Sequence, residues 1–155
     1  MKTNLMIILL ACLGIGAQAQ GQTERAEHFN LDEQLAIQGY DPVAYFTAGK
    51  AQKGKKNITT SYDGVTYRFS SEENKALFEA NPSKYEPAYG GWCAYAMGYD
   101  GSKVKIDPKT FKIIDGELYL FYNFYFNNTL KSWNKDEQSL HTSADKNWAD
   151  ILKKN

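Results

Sequence analysis

The sequence predicts an α+β domain: a small antiparallel sheet of hairpins packed with several short helices. Three observations carry that reading. Asp63-Gly64 and Asp115-Gly116 each stand between β-rich runs, the strongest short-range signal for a hairpin. Ser70-Ser71-Glu72-Glu73 places a capping hydroxyl and an acidic first turn ahead of an apolar stretch, which marks a helix start. Strand and helix patterns mix along the chain without a βαβ rhythm, which points away from a parallel sheet.

Taken in order, Leu31 to Ile37 predicts a short helix closed by Gly39. Tyr40-Asp41-Pro42 is turn chemistry, and Val43 to Phe46 reads as a short apolar strand. Gly49 to Lys56 is a basic, glycine-containing loop. Asn57 to Tyr62 and Val65 to Phe69 are the arms of the first hairpin. The helix that begins at Ser70 or Ser71 runs through Asn81 and is ended by Pro82. Tyr85-Glu86-Pro87 and Tyr89-Gly90-Gly91 form a bent connection. Trp92 to Met97 starts a second helix, stopped at Gly98. Val104 to Ile106 and Phe111 to Ile114 are extended, and the second hairpin leads into the aromatic run Leu118 to Tyr122. Asn127 to Lys154 reads as helices carrying Trp133 and Trp148.

The chain of 155 residues is the length of one domain. Residues 1–19 read as a signal peptide: Lys2 supplies the positive start, Leu5 to Leu13 the apolar run, and Ala17-Gln18-Ala19 the cleavage site. Residues 20–30 form a polar, flexible N-terminus, and 31–155 the domain. The expected address is export, to the periplasm or cell envelope. A lipoprotein anchored through Cys12 is the alternative, because Leu9-Leu10-Ala11-Cys12 resembles a lipobox. No other stretch is apolar for long enough to span a bilayer. Lys plus Arg and Asp plus Glu both number 18, so the chain is formally neutral and offers no electrostatic footprint for nucleic acid.

Several motifs resemble the YHS family, of the kind found as stand-alone exported proteins. They are Gly39-Tyr40-Asp41-Pro42-Val43-Ala44-Tyr45-Phe46, Tyr62-Asp63-Gly64-Val65-Thr66-Tyr67-Arg68-Phe69-Ser70-Ser71, Phe78-Glu79-Ala80-Asn81-Pro82-Ser83-Lys84-Tyr85 and Tyr89-Gly90-Gly91-Trp92-Cys93-Ala94. Asp115-Gly116-Glu117-Leu118-Tyr119-Leu120 and Ala144-Asp145-Lys146-Asn147-Trp148 fit the same group, so the resemblance extends over most of the expected mature chain. It implies an α+β fold and metal binding, through cysteines in the turn after Asp-Pro-Val and in the segment around the helix start. The corresponding positions here are Ala44, Ser70 and Asn74. None supplies a thiolate, and a hydroxyl or an amide is a poor ligand for a soft ion.

Once the signal peptide is removed, Cys93 is the single cysteine, so no internal disulfide can form. Met97 follows one helical turn later on the same face, and a Cys-x-x-x-Met pair suits Cu(I). His141 or His28 would add a third donor. Burial as ordinary core residues is the competing reading of both sulfur side chains. Tyr40, Tyr45, Tyr89 and Trp92, with Asp41, make a candidate aromatic pocket for a small molecule or a protein partner; a tyrosine-rich core is its alternative. Asp41 and Asp107 precede prolines and read as turn formers. There is no P-loop, G-x-G-x-x-G, G-x-S-x-G or H-E-x-x-H. The sequence therefore supports first a soft-metal binding module, with copper as its expected ion. Second comes a non-metal binding domain, and third an enzyme using Cys93, for which no base is evident.

Overall fold

The computed structural model describes residues 25–154. The expected signal peptide, its cleavage site and Cys12 lie outside these residues. The architecture is α+β, with small sheets of hairpins packed among short helices.

The first sheet holds β1 (Leu31–Asp32), β2 (Leu35–Ala36), β3 (Thr59–Tyr62) and β4 (Val65–Arg68), in the order β1-β2-β4-β3. β3 and β4 are the expected Asp-Gly hairpin. Asp63 and Gly64 take φ of 45° and 83°, the left-handed pair that a two-residue hairpin turn needs. The stretch expected as a helix from Leu31 is instead the β1–β2 hairpin, turned at Glu33 (φ 49°) and Gln34 (φ 69°). Leu35 pairs in parallel with Thr66 of β4, so tertiary pairing overrides local propensity there. Ile37–Gly39 is a 3₁₀ turn.

Val43 to Phe46, expected as a strand, instead form the N-cap (Val43) and most of helix α1 (Ala44–Thr47). The cause is Asp41-Pro42: Asp41 Oδ1 accepts from the backbone N–H of Val43 (2.9 Å) and Ala44 (3.3 Å), turning the chain into a helical start. A four-residue apolar run carries no period of its own to resist this. Helix α2 (Glu72–Ala80) begins as expected, with Ser71 Oγ accepting from Asn74 N. Pro82 both ends it and opens the next turn, α3 (Pro82–Tyr85), at the position where a missing N–H costs nothing. Helix α4 (Ala94–Tyr99) runs through Gly98 instead of stopping there. Val104 to Ile106 have no regular structure, and the strand β5 begins at Asp107 and ends at Ile114.

β5 pairs with β6 (Glu117–Phe121) through the second Asp-Gly turn. β6 explains its own composition. Leu118 and Leu120 join a core with Tyr45, Tyr67, Phe69 and Phe78, while Tyr119 and Phe121 join a second core with Tyr89, Met97 and Trp133. Both faces of the strand are buried, so a continuous apolar run replaces alternation. A short hairpin, β7 (Asn123–Phe124) with β8 (Asn127–Asn128), leads to α5 (Thr129–Trp133) and the C-terminal helix α6 (Glu137–Leu152). No helix among the described residues is long and apolar enough to cross a membrane.

Candidate functional site

The positions expected to correspond to family cysteines do converge, around the fully buried Asp41. Its Oδ2 accepts from Ser70 N (2.7 Å), Ser70 Oγ (2.6 Å) and Asn74 Nδ2 (2.8 Å). Its Oδ1 takes Val43 N and Ala44 N. Ala44 thus contributes a backbone N–H where a thiolate is expected. Five N–H and O–H donors aim at one carboxylate. That field stabilises an anion and opposes a cation, so these residues do not fit a metal ion.

Cys93 caps α4 and is fully buried. Its Sγ lies 3.4 Å from Thr129 Oγ1 and accepts from Tyr122 N at 3.4 Å. Thr129 Oγ1 donates its own proton to Tyr122 O (2.9 Å), so the thiol is the donor to Thr129. Cys93 also lines a small, mostly apolar cavity of about 260 Å³ with Tyr95, Tyr99 and Tyr122. Met97 is fully buried in the second core, with Trp133 and Phe121. His141 Nε2 sits 2.8 Å from Tyr119 Oη and 3.7 Å from Asp145 Oδ1. Cys93 and His141 therefore have separate partner sets. Among the described residues no group of three or more His, Cys, Asp or Glu side chains is placed to hold a metal ion. His28 meets Trp148 edge to face, with ring centroids 6.5 Å apart.

The expected aromatic pocket is dispersed. Tyr45 is buried and donates to Pro108 O (2.7 Å). Tyr40 is half-buried with Lys53 over its ring, and Trp92 donates to His28 O (2.7 Å). Asp41 belongs to the knot described above. Tyr89 alone of the five lines a large cleft, of about 460 Å³.

That cleft lies between the N-terminal segment (Arg25, Phe29), the connection from Ser83 to Gly90, Glu117 of β6, and Asp145, Trp148 and Leu152 of α6. Its geometry starts with the Tyr89-Gly90-Gly91 turn, where all three residues have positive φ (54°, 60° and 80°). Tyr89 is strained in that conformation, as residues at functional sites often are. Gly90 is required by contact as well: a Cβ there would stand 2.9 Å from Trp148 Cη2 and 3.2 Å from Phe29 Cα. Trp148 consequently rests against bare backbone.

The polar groups are fixed from below. Arg25 Nη2 pairs with Glu86 Oε1 (2.5 Å) and Oε2 (2.6 Å), under a ring contact of 4.4 Å to Phe29. The buried Tyr67 hydroxyl also donates to Glu86. Tyr89 Oη donates to Asp145 Oδ1 (2.8 Å), and Tyr119 Oη to Glu117 Oε2 (2.7 Å). Burial first, and then these carboxylate partners, push both tyrosine pKa values well above the ordinary phenol value, so both stay protonated donors. Their rings touch edge to face, at 5.7 Å between centroids. Two exposed carboxylates on one cleft are each held by a buried phenol. Sequence reasoning passed over Arg25, Phe29, Glu86, Glu117, Asp145 and Trp148 as site residues. The strained Tyr-Gly-Gly turn was the signal available.

The family model described as the YHS domain matches residues 43–89. That range holds Ala44, Ser70, Asn74 and Tyr89, and leaves Cys93, Met97, Glu117, His141, Asp145 and Trp148 outside. No curated protein and no solved structure matches the chain.

Proposed function

Residues 43–89 make this a YHS domain-containing protein, and from that premise we propose that it is an exported, envelope-located binding module whose site is the aromatic-walled cleft. The carrying observation is the cleft's construction: Phe29, Tyr89 and Trp148 form walls around a few fixed polar groups, as small-molecule sites do. The donor-filled Asp41 knot supports the same reading, since the positions expected to hold thiolates carry an internal hydrogen-bond network instead. The address rests on the signal-peptide pattern of residues 1–19.

The rival reading is a soft ion, copper above all, held by Cys93 and Met97 with His141 as third donor. One observation favours it: Cys93 lines a cavity separate from the aromatic-walled cleft. It requires Cys93 and His141 to leave their present partners, Thr129 and Tyr119.

A fragment screen by NMR on the mature chain tests the proposal. Aromatic fragments are expected to shift the Trp148 indole and Phe29 resonances, and Trp148→Ala is expected to weaken them by about tenfold. Fragments that bind equally well to Trp148→Ala, or none that bind, would refute it.

A further inference from the structure

We infer that the cleft selects an organic cation with an apolar body, an inference that rests on the cleft being the binding site. Four charged side chains line it: Arg25, Glu86, Glu117 and Asp145. Arg25 and Glu86 cancel each other in their two-pronged pair, and Arg25 is further held by the carbonyls of Tyr62 and Asp63 (3.3 Å each). Glu117 and Asp145 remain as net negative charge.

These two are more than a surface acidic pair. Each spends one oxygen on a buried phenol, Tyr119 or Tyr89, and keeps a second oxygen for a ligand. The phenols pack against each other inside the second core, so both carboxylates are anchored to one rigid base. Fixed charges of this kind need little reorganisation on binding. The walls carry the aromatic rings of Phe29, Tyr89 and Trp148, and a cation that meets such a ring gains further attraction, most from tryptophan. A bare metal ion is a poorer match, because among the described residues no third metal-ligating side chain joins the two carboxylates.

The probes are benzyltrimethylammonium, benzyl alcohol and phenylacetate: one shape with positive, no and negative charge. They are titrated into the mature protein at one fixed pH and ionic strength. The readout is the Trp148 indole resonance. The cation is expected to bind about tenfold more tightly than the alcohol, with phenylacetate weakest. Glu117→Gln with Asp145→Asn should abolish that preference. Both residues are solvent-exposed, so the variant keeps its core. A remote control, Glu72→Gln with Glu79→Gln on the exposed side of α2, should leave the preference intact. Equal binding of cation and alcohol in the wild type, or a preference that survives the cleft double variant or vanishes in the control, overturns the inference while leaving the cleft as a site. If no probe moves Trp148, the inference falls and the cleft reading falls with it.

Discussion

Asp41→Ala is expected to lower the unfolding free energy by about 4 kcal/mol, because a buried acceptor is removed and its donors remain. Asp41 is fully buried and takes hydrogen bonds from Val43 N, Ala44 N, Ser70 N, Ser70 Oγ and Asn74 Nδ2. Three of those are backbone amides fixed by the turn into α1 and the end of β4. They cannot rotate away to find other acceptors. Ser70 and Asn74 can partly re-pair with each other, since Asn74 Nδ2 already stands 3.3 Å from Ser70 Oγ. Asp41→Asn separates charge from shape. Its remaining oxygen still serves one side, but its amide confronts donors on the other, and a loss of about 2–3 kcal/mol is expected. Urea unfolding of both variants, followed by tryptophan fluorescence, measures this. A loss under about 1 kcal/mol for Asp41→Ala would mean the knot is not the buried acceptor described.

Gly98→Ala has the second large effect, and its sign discriminates. Alanine in a helix ordinarily gains about 1 kcal/mol over glycine. At Gly98, however, a Cβ would lie 2.4 Å from the backbone oxygen of Leu140 and 3.0 Å from its carbonyl carbon. The obstacle is the backbone of α6, which cannot step aside as a side-chain tip can. Either α4 and α6 separate, or α4 distorts, and a net loss of about 3 kcal/mol is expected. Because α6 carries Asp145 and Trp148, cleft binding should weaken in the same variant. Gly49→Ala is the comparison: nothing stands within 4 Å of its added Cβ, and only its φ of 61° resists, at about 1 kcal/mol. Thermal unfolding of the pair checks this; a stabilised Gly98→Ala would contradict the helix contact.

How much of this was legible depends on what each residue had to encode. The hairpins at Asp63-Gly64 and Asp115-Gly116 could be read because their turns demand positive φ at two positions and the residues advertise it. The Leu31–Ala36 hairpin makes the same demand of Glu33 and Gln34, which carry no such mark, so helix propensity misled. Val43 to Phe46 read as a strand and folded into a helical turn because the Asp41 side chain, rather than any periodicity, sets its conformation. The correspondence of Ala44, Ser70 and Asn74 was legible as a missing thiolate set; that they gather on Asp41 needed the fold. The cleft was harder still. Tyr89 and Asp145 stand 56 residues apart, and Arg25 and Glu86 61 apart, so no spacing rule links them. Glu117 and Asp145-Lys146-Asn147-Trp148 were visible as family-like motifs without visible work, because their partners are buried phenols on other elements.

We propose that binding resides in the cleft and not at a thiolate-type metal site. The most direct measurement is a pair of ¹⁵N-detected NMR titrations of the mature protein, one with the cleft-binding aromatic fragments and one with Cu(I) under reducing conditions. Saturable shifts are expected at Phe29, Tyr89, Gly90 and Trp148 with the fragments, and no one-equivalent endpoint with Cu(I). A Cu(I) endpoint at one equivalent, with shifts centred on Cys93, Met97 and Thr129 and lost in Cys93→Ala, would contradict it.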